Sequence, residues 1–303
     1  MKKIISIYIV DDDQDDLIFI NEAFKNVMDD IRVTQLGDGK ELLDLISYQT
    51  ASTMPDLILT DVNMPKINGI EALSLLKSNP ASKHIPVVML STSKDESIIK
   101  QAYNYGASAF LTKPVSIKAY DHIAQSLSLC FLNHFNEKVK LPILSSFSNK
   151  SILIIEDSDD QWELMRQALV KSAPEVKLIR LSSRSASLDY FTGIWNTLLN
   201  PPQLILLDLY LPTRRDGLNL LDSIHYFFKI HRLTPVPVVI LSASHNKEDV
   251  NASYQHDANA YMNKAMDMTY SVSYLQTLCT FWWQTVSIPK KIFNSDNGYS
   301  YFA

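Results

Sequence analysis

Five side chains in the first half of the sequence, Asp11, Asp12, Asp61, Ser91 and Lys113, recur in the second half as Glu156, Asp157, Asp208, Ser242 and Lys264. Brought together, each set would place three carboxylates beside one ammonium and one hydroxyl. Carboxylates that close repel one another, and a hard divalent cation removes the conflict. Magnesium typically takes one or two carboxylates together with waters and phosphate oxygens. One carboxylate can then attack phosphorus and form an aspartyl phosphate. The cation and the lysine would offset charge on the equatorial oxygens during transfer. The serine hydroxyl can donate to a phosphoryl oxygen. A single aspartate at the end of an apolar run more often caps a helix; the whole set, present twice in the same order, is what points to this chemistry.

The elements that must position these side chains show as a long internal repeat. Residues 7–12 match 153–157, 55–61 match 203–208, 86–91 match 237–242, and 109–113 match 260–264. The offset is 145 positions from Asp12 to Asp157, 147 from Asp61 to Asp208, and 151 for both the serine and the lysine pairs. The second copy therefore gains residues twice, between blocks, where loops and helix ends absorb them. Each block is a short run of Ile, Val and Leu without polar alternation, the pattern of a strand buried on both faces. Residues 31–36 and 176–181 complete five strands per copy. Leu17, Ile20, Phe24 and Val27 recur at helical spacing, as do Ile70, Leu73, Leu75 and Leu76, and long helices are expected over 117–135 and 268–285. Strand alternating with helix predicts a parallel sheet covered on both faces. Ligands of such sheets bind outside the carboxyl ends of the strands, where all ten side chains fall.

The expected organisation is one domain over 1–135, a linker over 136–150, a second domain over 151–287 and a tail over 288–303. Hydrophobic content of 46% with 20% charged residues is ordinary for globular protein. A net charge of −5 gives no electrostatic reason to expect nucleic acid. No apolar run reaches the roughly 18 residues of a membrane span, and the lysine-led start lacks a small-residue cleavage site, which argues against a signal peptide. Cys130 and Cys279 lie far apart with no CxxC and no histidine clustering, so inert core thiols and a cytoplasmic location are expected. Trp282 and Trp283 are expected in core and interdomain packing rather than in an exposed dimer patch. The histidines have no metal spacing, and none is placed like a phospho-relay histidine.

Val10-Asp11-Asp12, Asp61-Val62-Asn63-Met64-Pro65 with Gly69, Leu90-Ser91 and Lys113-Pro114 together resemble the receiver domain of two-component response regulators. The likeness covers nearly all of both copies, and Asp15 and Asp16 make the first most similar to the stand-alone receivers that accompany bacterial phytochrome-type kinases. The resemblance implies two flavodoxin-like (βα)5 doubly wound domains of α/β class, with strand order 2-1-3-4-5 in each. It implies Asp61 and Asp208 as phosphoacceptors, with Ser91, Lys113, Ser242 and Lys264 on the phosphoryl group. Mg2+ or Mn2+ would be held by Asp12, Asp61 and the carbonyl of Asn63, with Asp11 acting mainly through water, and in the second copy by Glu156, Asp157, Asp208 and the carbonyl of Tyr210. Phe110 and Tyr261 take the place of the switch aromatic. The family usually has a cis bond before the proline that follows the lysine; the sequence itself does not decide this for Lys113-Pro114.

The second copy departs from the pattern. Glu156 replaces the first Asp, Tyr210 replaces Asn63 with a ring expected to shield the phosphoryl group, and Ala265 replaces the proline. Gly217 follows Asp208 by nine positions against eight from Asp61 to Gly69, so a longer loop containing Arg214 and Arg215 is expected. The function implied is a tandem receiver protein rather than an enzyme. It would accept phosphoryl groups from a histidine kinase or phosphotransfer protein and act through protein binding, around the fourth helix, fifth strand and fifth helix; no region is left for a DNA-binding or cyclase output domain, and a homodimer stays open. Two other readings compete. A haloacid-dehalogenase-type phosphohydrolase would need a DxDx[TV] run, which Asp11-Asp12-Asp13-Gln14-Asp15 does not supply. The other is a docking scaffold whose second receiver is degenerate.

Overall fold

Branched apolar runs without alternation bury both strand faces, and the strands form on those runs. The structure, a computed structural model, describes residues 4–50, 53–136, 147–264 and 268–289. The first sheet contains β1 (Ile5–Val10), β2 (Ile31–Leu36), β3 (Leu57–Asp61), β4 (Val87–Ser91) and β5 (Ala109–Thr112), all parallel, in the order β2-β1-β3-β4-β5. The second contains β6 (Ser151–Ile155), β7 (Lys177–Leu181), β8 (Leu204–Asp208), β9 (Val238–Ser242) and β10 (Ala260–Asn263), in the order β7-β6-β8-β9-β10. Both are therefore flavodoxin-like doubly wound α/β sheets of order 2-1-3-4-5. The central β3, β4, β8 and β9 are buried throughout, whereas β2 and β7, at the edges, are half-exposed.

The first copy carries α1 (Gln14–Val27), α2 (Gly39–Ser47), α3 (Gly69–Ser78), α4 (Glu96–Asn104) and α5 (Ile117–Leu132). The second carries α6 (Asp159–Ser172), α7 (Arg184–Asp189), α8 (Arg214–Ile230), α9 (Lys247–Gln255) and α10 (Met268–Thr280). Side-chain caps start most of them: Asp13 accepts from the Asp15 amide at α1, and Asn68 and Glu71 form a reciprocal capping box at α3, whereas α5 starts at Ser116 without a side-chain cap. α5 ends at Leu132, short of the expected 135, because Asn133 turns left-handed at φ 50°, a conformation asparagine tolerates. α10 continues as a π turn over Phe281–Thr285, so the span expected over 268–285 is helical along its whole length. Among the described residues the cis peptide bond is Leu211-Pro212; Lys113-Pro114 is trans. Ala265 and residues 137–146 and 290–303 lie outside the described residues.

α5 joins the two copies. A helix at the surface buries one stripe, but every residue of α5 from Ala124 to Leu132 is buried, Gln125, Ser126 and Ser128 included. One side packs on α1 and the other on β10 and α10. Phe131 meets Phe281 edge-on at 6.1 Å, and Phe135 meets Tyr274 at 6.0 Å. Asn133 Oδ1 accepts from the Asn263 amide at 2.8 Å. The chain leaving the second copy then returns to the first: Val286 bridges Leu111 in antiparallel sense, and the Ser287 amide donates to the Phe110 carbonyl at 2.8 Å. That contact covers part of the edge of β5, an otherwise unpaired row of backbone groups. Trp282 is fully buried, and Trp283 packs on Phe147 at 5.2 Å.

Cys130 and Cys279 are free and buried, and burial pushes the Cys279 thiol up to about 12 and Cys130 well above its ordinary range. The thiolate is the reactive form. Neither thiol should therefore react with a disulfide reagent at pH 8 in the folded chain, and both should react after unfolding in guanidinium. One fast-reacting equivalent under native conditions would contradict this placement.

Candidate functional site

The first site gathers at the carboxyl ends of β1, β3, β4 and β5. Asp11 follows β1 and is buried, its Oδ1 accepting from the Asp13 amide at 3.0 Å. Asp12 beside it is exposed. Asp61 ends β3, and its Oδ2 accepts from the Asn63 amide at 2.8 Å. One carboxylate oxygen from each of Asp11, Asp12 and Asp61 lies within 4.8 Å of the others. Lys113, just beyond β5, sends its ammonium into this cluster, 2.7 Å from Asp11 and 3.3 Å from Asp61. The Lys113 amide donates to the Ser91 carbonyl at 2.8 Å, and Ser91 Oγ accepts from the Ser93 amide at 3.1 Å. That leaves the Ser91 hydroxyl proton available for another acceptor.

Burial dominates the electrostatics. It pushes Asp11 up to about 6 against the pull of Lys113, and it raises Asp61 as well. Burial alone would lower Lys113, but its three carboxylate partners raise it above the ordinary lysine range. The site is thus short of positive charge even with its lysine in place.

The second site repeats the arrangement. Glu156, Asp157 and Asp208 offer oxygens within 4.8 Å of one another, and Lys264 lies 2.8 Å from Glu156 and 3.1 Å from Asp208. The Lys264 amide donates to the Ser242 carbonyl, and Ser242 Oγ accepts from the Ser244 amide. Burial raises both Glu156 and Asp208.

The longer acceptor loop expected here is not what forms. α8 starts at Arg214, three residues before Gly217, whereas α3 starts at Gly69 itself. The extra residue goes into the helix, and Arg214 and Arg215 lie in its first turn. Packing shows how: a Cβ on Gly69 would lie 1.9 Å from the Asp61 carbonyl oxygen, and one on Gly217 would lie 2.0 Å from that of Leu209. The glycine contact has slipped by one residue along the acceptor segment.

Tyr210 is also tied down. Its hydroxyl donates to Asp249 Oδ2 at 2.9 Å, Arg214 pairs with Asp249 Oδ1 at 2.9 Å, and the Ser244 hydroxyl donates to the same carboxylate. Asp249, buried on α9, thereby links the loop after Asp208 to the loop after Ser242. Phe110 and Tyr261 are both fully buried, and the Tyr261 hydroxyl donates to the Ser244 carbonyl at 2.8 Å. Asp249 and Tyr120 escaped the sequence reading, and Asp16 entered it only through the family likeness, not as a partner of Lys113. Asp16 reaches Lys113 from four residues beyond Asp12, on the first turn of α1, and an acidic residue at that spacing was the one available signal.

Two doubly wound α/β modules, each with a carboxylate cluster and a lysine at its strand ends, define a duplicated single-site protein. The response regulator receiver domain model matches residues 7–125 and 152–276, well over half of the chain, and the chain belongs to that family in both copies. Membership places it among the proteins of two-component signalling. Response regulator Rcp1 of Synechocystis sp. is 35% identical over 141 residues, spanning 46% of this chain and 93% of that relative. Among solved structures, the phosphorylated cyanobacterial phytochrome response regulator RcpA is 31% identical, with a TM-score of 0.41, over 46% of this chain and 99% of that one. The Mn(2+)-bound form of Rcp1 is also 31% identical, with a TM-score of 0.38, over 45% and 98%.

Proposed function

We propose that the chain accepts phosphoryl groups on Asp61 and Asp208 from a histidine kinase or phosphotransfer protein and signals through protein contacts. The observation that carries this reading is the pair of matching clusters, in each of which a largely enclosed lysine touches both the acceptor aspartate and its acidic neighbour. An all-oxygen carboxylate set suits a hard divalent cation such as Mg2+ or Mn2+. Asp11, Asp12 and Asp61 with the Asn63 carbonyl would hold it in the first site, and Glu156, Asp157 and Asp208 with the Tyr210 carbonyl in the second. When bound, the cation would supply the positive charge that the clusters lack.

The chain's own groups do the rest. An Asp61 carboxylate oxygen forms the bond to phosphorus while the bond to the donor atom breaks, and the donor leaves with its electron pair. Lys113 Nζ and the Ser91 hydroxyl face the charge that builds on the transferred group. In the second site Lys264 and Ser242 take these parts. The anchored Tyr210 and the altered glycine contact give Asp208 different phosphorylation and hydrolysis rates. The functional units of this reading are 1–135 and 151–287, and its setting is the cytoplasm.

Incubation with acetyl phosphate and Mg2+, followed by peptide mapping, tests the assignment. A hydroxylamine-labile phosphoryl group should map to Asp61 and vanish in Asp61→Asn, and a second should map to Asp208 with its own rate. Multiple turnover of a phosphomonoester, lost in Asp11→Asn and kept in Asp61→Asn, would instead establish a phosphohydrolase.

A further inference from the structure

Lys113 has a third carboxylate partner that lies outside the cluster. Asp16 Oδ2 is 2.8 Å from its Nζ, against 2.7 Å for Asp11 and 3.3 Å for Asp61. The other oxygen of Asp16 accepts from the Tyr120 hydroxyl at 2.5 Å. Tyr120 is a buried residue of α5 and packs on Phe19 of α1 at 5.8 Å. Asp16 is thus fixed at both oxygens, one by the ammonium and one by a helix that is itself locked between the two copies. Among the described residues the second site shows no such partner. Gln161 stands at the position matching Asp16, four residues after Asp157, and Lys264 pairs with Glu156 and Asp208 alone among the described residues.

A divalent cation held by the cluster would compete with the Lys113 ammonium for the carboxylates of Asp11 and Asp61. The side chain of Lys113 is only 9% exposed. An ammonium so buried cannot give up its ion pairs without cost unless another carboxylate stays with it. We propose that Asp16, held by Tyr120, is a positioning residue that keeps Lys113 paired when a divalent cation takes Asp11 and Asp61. This inference rests on the metal-binding part of the proposed function. It also gives a physical reason for the two sites to differ: the first can exchange ammonium for metal on its cluster without stranding a charge, whereas among the described residues no third carboxylate stands ready to keep Lys264 paired.

The test is a double-mutant cycle read by metal affinity rather than by phosphorylation. Calorimetric titration with Mg2+ would use the full chain carrying Asp157→Asn and Asp208→Asn, which silence the second cluster. In that background Asp16→Asn should weaken Mg2+ binding about tenfold, the scale of coupling between residues in contact. Tyr120→Phe, which removes no charge, should weaken it less but in the same direction. With Lys113→Ala already present, the Asp16→Asn effect should largely disappear, because no ammonium remains to be held. An equal loss with and without Lys113 would show that Asp16 acts only through its charge, and unchanged affinity in Asp16→Asn would show no role; either overturns the proposal. Absence of Mg2+ binding in the parent chain would sink the metal-binding reading itself, and this inference with it.

Discussion

Lys113→Ala should lower the rate of Asp61 phosphorylation by acetyl phosphate about 10²-fold, the cost of removing one preorganised charge from a transfer site. The ammonium touches both Asp61 and Asp11, so it faces the oxygens on which charge accumulates. The substitution should also destabilise the metal-free first receiver by about 3–5 kcal/mol near pH 7, because it leaves buried carboxylates without their partner. The pH dependence of that penalty has a defined sign. Burial holds Asp11 at about 6 even with Lys113 present. Without Lys113 it must lie higher, so a proton neutralises it as pH falls from 7 to 5 and the penalty shrinks. Denaturation of both chains at the two pH values, in chelator, measures this. A penalty that grew on acidification, or a phosphorylation rate equal to that of the parent, would contradict the role given to Lys113.

Gly69→Ala should cost about 3 kcal/mol, at the upper end of what overpacking usually costs. The added Cβ would lie 1.9 Å from the Asp61 carbonyl oxygen and 2.9 Å from its carbonyl carbon. Those atoms belong to the central strand and to the acceptor residue itself. Relief therefore means moving Asp61, and phosphorylation should fall along with stability. Gly217→Ala should act likewise on the second receiver, through the Leu209 carbonyl. Gly193→Ala is the internal control. Nothing lies within 4 Å of its added Cβ, and it sits in a helical turn, so that change should be neutral or gain up to about 1 kcal/mol. Thermal and urea melts of the three variants compare them directly; equal losses at all three positions would dismiss the steric account.

Much of this architecture was legible in the sequence because parallel strands announce themselves as unbroken apolar runs. Residues 31–36 form β2 at the expected bounds, and β7 starts one residue later than expected, at Lys177. The acidic pairs, Asp61, Asp208 and the two lysines come together as their spacing implied, because strand ends fix where the next residue points. Three features were not legible. Asp16 meets Lys113 across 97 positions, and a local pattern cannot say which side chain waits on the far side of a helix. Gly217 looked like the far end of a lengthened loop, but Thr213, four residues earlier, caps α8 and the helix absorbs the insertion. The burial of α5 on every side was hidden for a third reason. Gln125, Ser126 and Ser128 are polar and give no sign of burial in the sequence, and it is the packing of α5 against α1, β10 and α10 together that encloses them. Long-range packing decided the first and the third, and a local cap the second.

The central claim is that this chain carries two acceptor aspartates, one in each receiver. Intact-mass spectrometry after incubation with acetyl phosphate and Mg2+ tests it most directly. The parent chain should gain up to two phosphoryl groups, Asp61→Asn and Asp208→Asn one each, and the double variant none. A parent chain that gains none, or a double variant that gains as many as the parent, would contradict the account.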